Sequence, residues 1–302
     1  MKIMIAGGSG FIGNRLAEFF LEKGYRVTAT GTRSAHSAAR SDRFQYISAD
    51  LSRKGPWQSA LSDVDVIINL AGKSIFHRWT KEYKGHIYES RILSTRNLIE
   101  GLSLINRVTL INASACGYYG DRGNEILNED EPPGSDFLAG VTRDWEKEAK
   151  KGEEKGTRVI CARFGIVLGR GGGAIEKMAF PFKFFIGGPQ GNGTQWFSWI
   201  HMDDLCSAME WVIKNGLISG PVNFCSPEPI QNRELSRILG KLLNRPSFIR
   251  TPGWMIRAIL GEFGASLLSS QRCAPHKLLD GGYRFRYPDP LGAIREVFQI
   301  KP

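Results

Sequence analysis

Apolar positions in the first 165 residues fall into short, β-branched runs separated by stretches of helical spacing. Lys2–Ala6, Tyr25–Thr30, Phe44–Ala49, Val64–Leu70, Val108–Ser114 and Thr157–Phe164 read as strands. Near-continuous apolar runs of this length suit strands covered on both faces of a parallel sheet. Between them lie helical patterns. The first opens after Gly10, with Leu16, Phe19 and Phe20 on one side and Arg15, Glu18 and Glu22 on the other. A short helix is expected at Trp57–Leu61, and a long one from about Thr80 to Gly101. The long helix takes Thr80 as N-cap and sets Tyr83, Ile87, Ile92 and Leu98 along its apolar side. Phe137–Glu154 is the last helix of this stretch. Strands alternating with helices predict an α/β fold with a doubly wound parallel sheet. The texture changes beyond residue 165. Glycine-rich and aromatic segments run to Gly193, then a strand is expected at Gln195–Ile200, a helix at Asp203–Lys214 and a strand at Val222–Cys225. Asn232–Asn244 reads as a helix capped by Asn232, and Thr251-Pro252 opens another by the preference for proline in the first turn.

The connection between the first strand and first helix carries chemistry. Gly7, Gly10 and Gly13 stand three apart, and Gly8, Gly10 and Gly13 also satisfy G-x-G-x-x-G. One glycine allows a tight turn, one lets backbone approach a pyrophosphate, and one lets helix pack on strand. The helix N-terminus adds free N–H groups and the positive end of its dipole. The strand before and the amphipathic helix after are the context this motif requires. The expected organisation is an NAD(P)-binding Rossmann domain over 1–165, to which 199–225 returns. A smaller substrate-covering region follows from 166–198 and 226–302.

Cofactor choice turns on the end of the second strand. An acid there holds the adenosine ribose of NAD, but this chain reads Thr30-Gly31-Thr32-Arg33-Ser34. Thr32 and Arg33 suit a 2′-phosphate, since guanidinium binds phosphate bidentately. The expected cofactor is therefore NADP(H). Asp50-Leu51 ends the third strand, where Asp50 could accept from an adenine amino group. The small residues of Asn69-Leu-Ala-Gly72 let a cofactor lie against the sheet edge.

Composition narrows the classes. The 302 residues carry 40 Lys+Arg against 30 Asp+Glu, a net charge of +10, spread without a basic tail or aromatic-interleaved tract. No nucleic-acid partner is expected, and part of the excess suits an anionic cofactor or a polar or anionic small substrate. No apolar run of eighteen residues exists, so no membrane partner is expected either. Five scattered cysteines without C-x-x-C spacing fit reduced thiols in a cytoplasmic protein, and no metal site is expected.

Taken together, Gly-Gly-Ser-Gly-Phe-Ile-Gly13, Asp50-Leu51, Asn69-Leu-Ala-Gly72, Ser114 and Tyr119-Gly120 resemble the extended branch of the short-chain dehydrogenase/reductase superfamily. Ser90-Arg91-Ile92, Asp144-Trp-Glu146, Arg163-Phe-Gly-Ile-Val-Leu-Gly169, Ser198-Trp-Ile-His201 and Ser270-Gln-Arg272 resemble its atypical epimerase-like subgroup, over essentially the whole chain, and the resemblance implies a short C-terminal domain from about residue 244. The resemblance implies that Gly7, Gly10, Phe11, Ile12 and Gly13 contact the pyrophosphate and that Thr32 and Arg33 meet the 2′-phosphate. It also implies that Leu70 and Ala71 line the cofactor, that Arg91 reaches it, and that Val167 lies near the nicotinamide.

The chain departs from that superfamily at its Tyr-x-x-x-Lys pair, in which lysine lowers the tyrosine pKa. The matching segment is Ser135-Asp-Phe-Leu-Ala-Gly-Val-Thr142, which offers Phe137/Val141 in one register and Leu138/Thr142 in the other. Ser114, able to hydrogen-bond a substrate carbonyl, and Tyr118 are the candidate catalytic residues. Tyr119 is read as structural, His201 is a lesser candidate, and Lys177 and Arg170 could meet an anionic substrate. Two functions are expected. One is an NADP(H)-dependent oxidoreductase or epimerase-like enzyme on a small substrate, nucleotide-linked or not, working as monomer or homodimer. The other is a non-catalytic NADP(H)-binding sensor, a class made credible by family members linked to cell division.

Overall fold

The computed structural model describes residues 1–34, 41–103 and 107–300. Its centre is a sheet of seven parallel strands. The chain runs β1 (Lys2–Ala6), α1 (Phe11–Glu22), β2 (Arg26–Gly31), β3 (Phe44–Ser48), β4 (Val66–Asn69), α2 (Lys81–Glu100) and β5 (Thr109–Ala115). It continues through β6 (Ile126–Leu127), α3 (Phe137–Lys150), β7 (Arg158–Phe164), β8 (Ile166–Leu168), α4 (Gly173–Lys183), β9 (Trp196–Phe197) and β10 (Trp199–His201). Then come α5 (Met202–Lys214), β11 (Gly220–Phe224), β12 (Ile230–Gln231), α6 (Asn232–Leu243), α7 (Gly253–Leu260), α8 (Glu262–Ser266), β13 (Arg272–Cys273), α9 (His276–Asp280) and α10 (Pro290–Val297).

The sheet order is β11-β7-β5-β4-β1-β2-β3, so the direction of winding reverses at β1 and β4. Open α/β sheets bind ligands at that reversal, beyond the carboxyl ends of the strands. Both faces are covered, as the unbroken apolar runs require. Ile3 and Ile5 of β1 point into a core with Leu16, Phe20, Leu205 and Met209, while Met4 and Ala6 point into one with Leu61, Ile67 and Leu98. The alternation follows from the two-residue strand period.

Several local expectations need revision. Trp57–Leu61 belongs to a 3₁₀ turn, Pro56–Asp63. The helix from Phe137 ends at Lys150 and passes into a 3₁₀ turn, Lys151–Lys155. The single strand expected at Gln195–Ile200 is two, because β9 pairs with β12 and β10 pairs with β8. Ser198 between them gives its hydroxyl to Gln271 O (2.8 Å) and accepts from Cys273 N (2.9 Å). Asn232 is not a cap: Gln231 holds that place, and Asn232 Oδ1 accepts from Gln190 N at 2.8 Å. Pro252 caps α7 rather than entering it. Thr80 does cap α2, accepting from Tyr83 N at 3.1 Å.

The later segments are bound to the sheet and do not form a detached unit. β11 completes one sheet edge, and α5 packs on α1 through Leu205 and Met209. Asp204, 1 % exposed on α5, accepts from Arg286 N (2.7 Å), Tyr287 N (2.8 Å) and the Tyr283 hydroxyl (3.3 Å). A second core, with Ile175, Phe182, Trp199, Leu235, Leu239 and Ile294, joins α4, α6 and α10. The five cysteines are buried and free. Among the described residues no helix is long and apolar enough to cross a membrane, and no cluster of three metal-ligating side chains occurs.

Asp204→Ala strips partners from two backbone N–H groups at once, each worth about 1–3 kcal/mol when left unsatisfied. Urea unfolding of this variant is expected to show a loss of about 2–4 kcal/mol; an unchanged midpoint would mean that the 283–287 segment is held by its aromatic packing alone.

Candidate functional site

The glycine turn divides its labour visibly. Gly7 adopts φ +77°, and a Cβ there would stand 2.9 Å from the Leu70 carbonyl. A Cβ at Gly13 would lie 2.5 Å from Gly7 O, so α1 presses directly on the turn. Gly8 serves packing instead, since a Cβ would come within 2.6 Å of Ala29 Cβ on β2. Gly10 meets only Gly7 O, at 3.2 Å, and leaves its outer side open. It caps α1 without a side-chain acceptor, leaving the N–H groups of Phe11 and Ile12 to an incoming anion. An open glycine before an uncapped helix is the cradle a pyrophosphate needs.

Thr32 and Arg33 are exposed beyond β2. The Tyr46 hydroxyl donates to Arg33 O at 3.0 Å, which fixes the backbone there. Arg33 lines a cleft of about 660 Å³ with Ser9, Phe11, Asn14 and Arg170. Asp50 is more committed than its sequence position suggested. Its Oδ1 accepts from Ser52 N (3.0 Å) and from the Ser52 hydroxyl (2.7 Å), and its Oδ2 lies 4.0 Å from Arg53 Nε. Leu51 is buried, and its carbonyl accepts from Asn97 Nδ2 at 2.9 Å. Leu70 and Ala71 leave β4 through bonds to Ala6 O (2.8 Å) and Asn69 Oδ1 (3.2 Å). Gly72 lies under Arg91, whose Cζ would be 3.1 Å from a Cβ there. Arg91 Nη1 donates to Lys73 O (3.1 Å) and Ile87 O (2.9 Å), and the guanidinium covers the Trp145 ring at 5.2 Å. Burial lowers its pKa to about 10, and among the described residues it has no acidic partner.

A second cavity, of about 540 Å³, opens over the sheet's carboxyl edge. Ile12 from the start of α1, Ser114 from β5 and Val167 from β8 meet there, and α4, α7 and α8 cover it through Met178, Leu260 and Phe263. Leu138 lines it too, while Phe137 turns to pack on Trp79, ring centroids 5.3 Å apart. Of the two registers the sequence left open, the one with Leu138 and Thr142 turns its first residue to the cavity. Thr142 is buried and spends its hydroxyl on Leu138 O at 2.8 Å. The side chain turned to the cavity here is an isobutyl group, and the lysine that lines the cavity is Lys177 on α4.

Beneath Ser114 lies a network that spacing did not reveal. Arg163 on β7 and Glu146 on α3 are 2 % and 3 % exposed and pair through two parallel bonds, Nε–Oε1 at 2.8 Å and Nη2–Oε2 at 2.9 Å. Burial alone would lower the Arg163 pKa, but the bonds and charge of Glu146 raise it on balance. Arg163 Nη1 also donates to the Tyr119 hydroxyl (2.9 Å) and to Glu129 O (3.0 Å), and Tyr119 donates to Asn223 Oδ1 (2.7 Å). Ser114 gives its proton to Glu146 Oε1 at 2.7 Å. An ionised carboxylate only accepts, so the Ser114 proton is committed, which leaves the oxygen's acceptor capacity to a partner from the cavity that the residue lines. As arranged, donation from Ser114 to a substrate carbonyl would first break its bond to Glu146. The available signal was an arginine inside the apolar run Val159–Phe164, a residue type that is buried only when paired.

The remaining candidates fall elsewhere. The Tyr118 ring faces the Arg163 guanidinium at 3.6 Å, and the residue does not line the cavity. Burial raises its pKa above 10, and Arg163 offsets this only in part. Tyr119 is fully buried, and burial raises its pKa further. His201 accepts from Asp203 N through Nδ1 (3.2 Å), capping α5, and meets Glu296 Oε2 through Nε2 (2.9 Å). Arg170 pairs with Glu296 at the edge of the cleft that Arg33 lines. Lys177 stands exposed at the cavity, its ammonium 5.0 Å above the Phe76 ring. Gln195, 8 % exposed on the cavity wall, donates to Gln190 O at 3.1 Å, but its Oε1 has no partner.

A parallel sheet with this cradle and this cavity defines a nicotinamide-dinucleotide-binding protein of the short-chain dehydrogenase type. The pattern of the NAD-dependent epimerase/dehydratase family matches residues 3–225, and a domain of unknown function, DUF1731, matches residues 251–297. The chain belongs to the NAD-dependent epimerase/dehydratase family. It is 37% identical to the epimerase family protein YfhF of Bacillus subtilis, over 98% of both chains. It is 34% identical to the chloroplastic epimerase family protein SDR39U1 homolog of Arabidopsis thaliana, over 99% of this chain and 87% of that one. The structure of human epimerase family protein SDR39U1 with NADPH superimposes with a TM-score of 0.86 at 26% identity, covering all of both chains. A nucleoside-diphosphate sugar epimerase from Corynebacterium glutamicum gives 0.78 at 32% identity, over 98% of this chain and 58% of that one.

Breaking one partner of a buried ion pair costs about 3–5 kcal/mol, because the other is left uncompensated. Glu146→Gln is expected to lose that much in urea unfolding. Adding Arg163→Met should restore part of it; strictly additive losses would show that the two residues do not depend on each other.

Proposed function

We propose that this protein is an NADP(H)-dependent oxidoreductase acting on a hydroxyl or carbonyl group of a small molecule with a largely apolar body. The observation that carries the cofactor choice is Arg33: the end of β2 presents an exposed guanidinium in place of an acid, at a cleft that reaches the glycine turn. The NADPH in the human relative's structure supports the same reading. Gly10, Phe11 and Ile12 would take the pyrophosphate, Thr32 and Arg33 the 2′-phosphate, and Arg91 supplies a nearby cation. Ile12 and Val167 direct the nicotinamide end to the cavity.

When bound, the cofactor supplies or accepts a hydride; the proton is the chain's concern. With Leu138 turned to the cavity, the described polar group best placed at the floor is Ser114. A substrate hydroxyl can donate to Ser114 Oγ as the serine proton shifts to Glu146 Oε1, 2.7 Å away. Glu146 already accepts two bonds from Arg163, so this shift gives up part of that pairing, and turnover should be slow. The aromatic and aliphatic wall of Phe76, Phe164, Phe197 and Phe263 favours an apolar substrate body.

Titration by reduced-nicotinamide fluorescence tests the cofactor. Arg33→Ala is expected to weaken NADPH about 10- to 100-fold, the worth of one charge-assisted contact, and to leave NADH nearly unchanged. Equal losses for both would remove the 2′-phosphate assignment. A panel of apolar primary and secondary alcohols tests the chemistry: NADP+ reduction is expected, and Ser114→Ala should slow it about 100-fold with cofactor affinity intact. Absence of turnover across the panel, with NADPH still bound, would leave a cofactor-binding protein instead.

A further inference from the structure

Exposed apolar side chains are concentrated on one face. Among the described residues, nine of the fourteen exposed large hydrophobics lie in two short stretches, 180–186 and 248–259. Phe180, Phe184, Phe185 and Ile186, at the end of α4, are each more than half exposed. Phe248 is 80 % exposed, and on α7 Trp254 and Ile259 are 69 % and 64 % exposed. The two stretches adjoin. Ile249 N donates to Gly187 O (3.3 Å), Thr251 N to Pro189 O (2.9 Å), and Gly191 N to Thr251 O (2.8 Å). The Arg245 guanidinium covers the Phe185 ring at 4.5 Å.

The charge on these stretches is of one sign. Residues 177–194 and 235–261 hold seven lysines and arginines and not one aspartate or glutamate. Arg237 pairs with Glu234 outside them, and the other six have no ion-pair partner among the described residues. Exposed aromatics interleaved with unpaired cations match the interface of an anionic bilayer, where indole and phenyl groups enter the headgroup layer and basic side chains meet lipid phosphates. A two-fold contact with a second copy would set this patch against itself, cation facing cation, which is unfavourable. The patch also borders the cavity: α4 supplies Lys177 and Met178 to its lining and α7 supplies Leu260.

We propose that the face formed by the end of α4, the 245–251 segment and α7 docks on anionic lipid bilayers, with the cavity mouth turned to the membrane. It requires no spanning segment, and it stands whether or not the protein proves to be an oxidoreductase.

Flotation of the full chain with vesicles tests it. The protein should float with vesicles of phosphatidylcholine mixed with phosphatidylglycerol, far less with phosphatidylcholine alone, and progressively less as salt rises. Each basic residue near an anionic surface is worth about fivefold in partitioning, so Arg250→Gln with Arg257→Gln should lower it about 25-fold. Trp254→Ser with Ile259→Ser should abolish it. Neither pair contributes to the cofactor cradle or the cavity, so NADPH titration verifies that the variants are folded. Failure of the wild-type chain to float with the anionic vesicles would overturn the proposal, as would flotation undiminished in both double variants. Sedimentation showing a dimer that Trp254→Ser with Ile259→Ser dissociates would assign the face to self-association instead.

Discussion

A carboxylate and a guanidinium buried together cannot stay charged in an apolar interior unless each satisfies the other. Glu146 and Arg163 do so with two parallel bonds, and the surrounding elements are arranged around that requirement. The pair joins α3 to β7. Through Tyr119 and Asn223 it reaches β11, and through Glu129 it reaches the backbone at Lys277. Its one bond toward the cavity goes to Ser114. The orientation of the only hydroxyl at the end of β5 is thus a by-product of charge burial, and any chemistry at that floor works with a proton already given away.

Much of the fold was legible because its signals are local. The strand runs, the turn at Gly7–Gly13 and the Thr80 cap each depend on residues within a few positions of one another. The frame of the Ser135–Thr142 segment was not legible, since Phe137 and Leu138 are both apolar and only the cavity distinguishes them. Gln195 and Glu146 were missed as site residues for a related reason. What matters about each is an unmet or shared bond with a residue brought near by folding. Asn232 was misjudged because its side chain prefers the Gln190 backbone, forty-two positions away, to the start of its own helix.

The same division holds for surfaces. A search for a spanning run of apolar residues says nothing about side chains that two separated stretches bring to one face. Phe184 and Phe185 fall in a glycine-rich, aromatic stretch of the sequence; with Arg245 over the Phe185 ring and the 249–251 backbone bonded alongside, they form a chemically coherent surface. A basic net charge that looked evenly spread acquires a local sign once the chain is folded.

The late arrival of β11 has a consequence for how the protein is made. β7 ends at Phe164 and its edge partner begins only at Gly220, so a nascent chain holds an uncovered parallel edge while the intervening residues are synthesised. Such an edge is a template for wrong pairings. The parallel pairing of Ile166 with Trp199, and of Leu168 with His201, ties off most of that interval close to the sheet. It leaves mainly α5 to be closed before β11 docks, and the entropic cost of closure grows with the length left open. The small β8–β10 ladder thereby shortens the time for which the sheet is vulnerable.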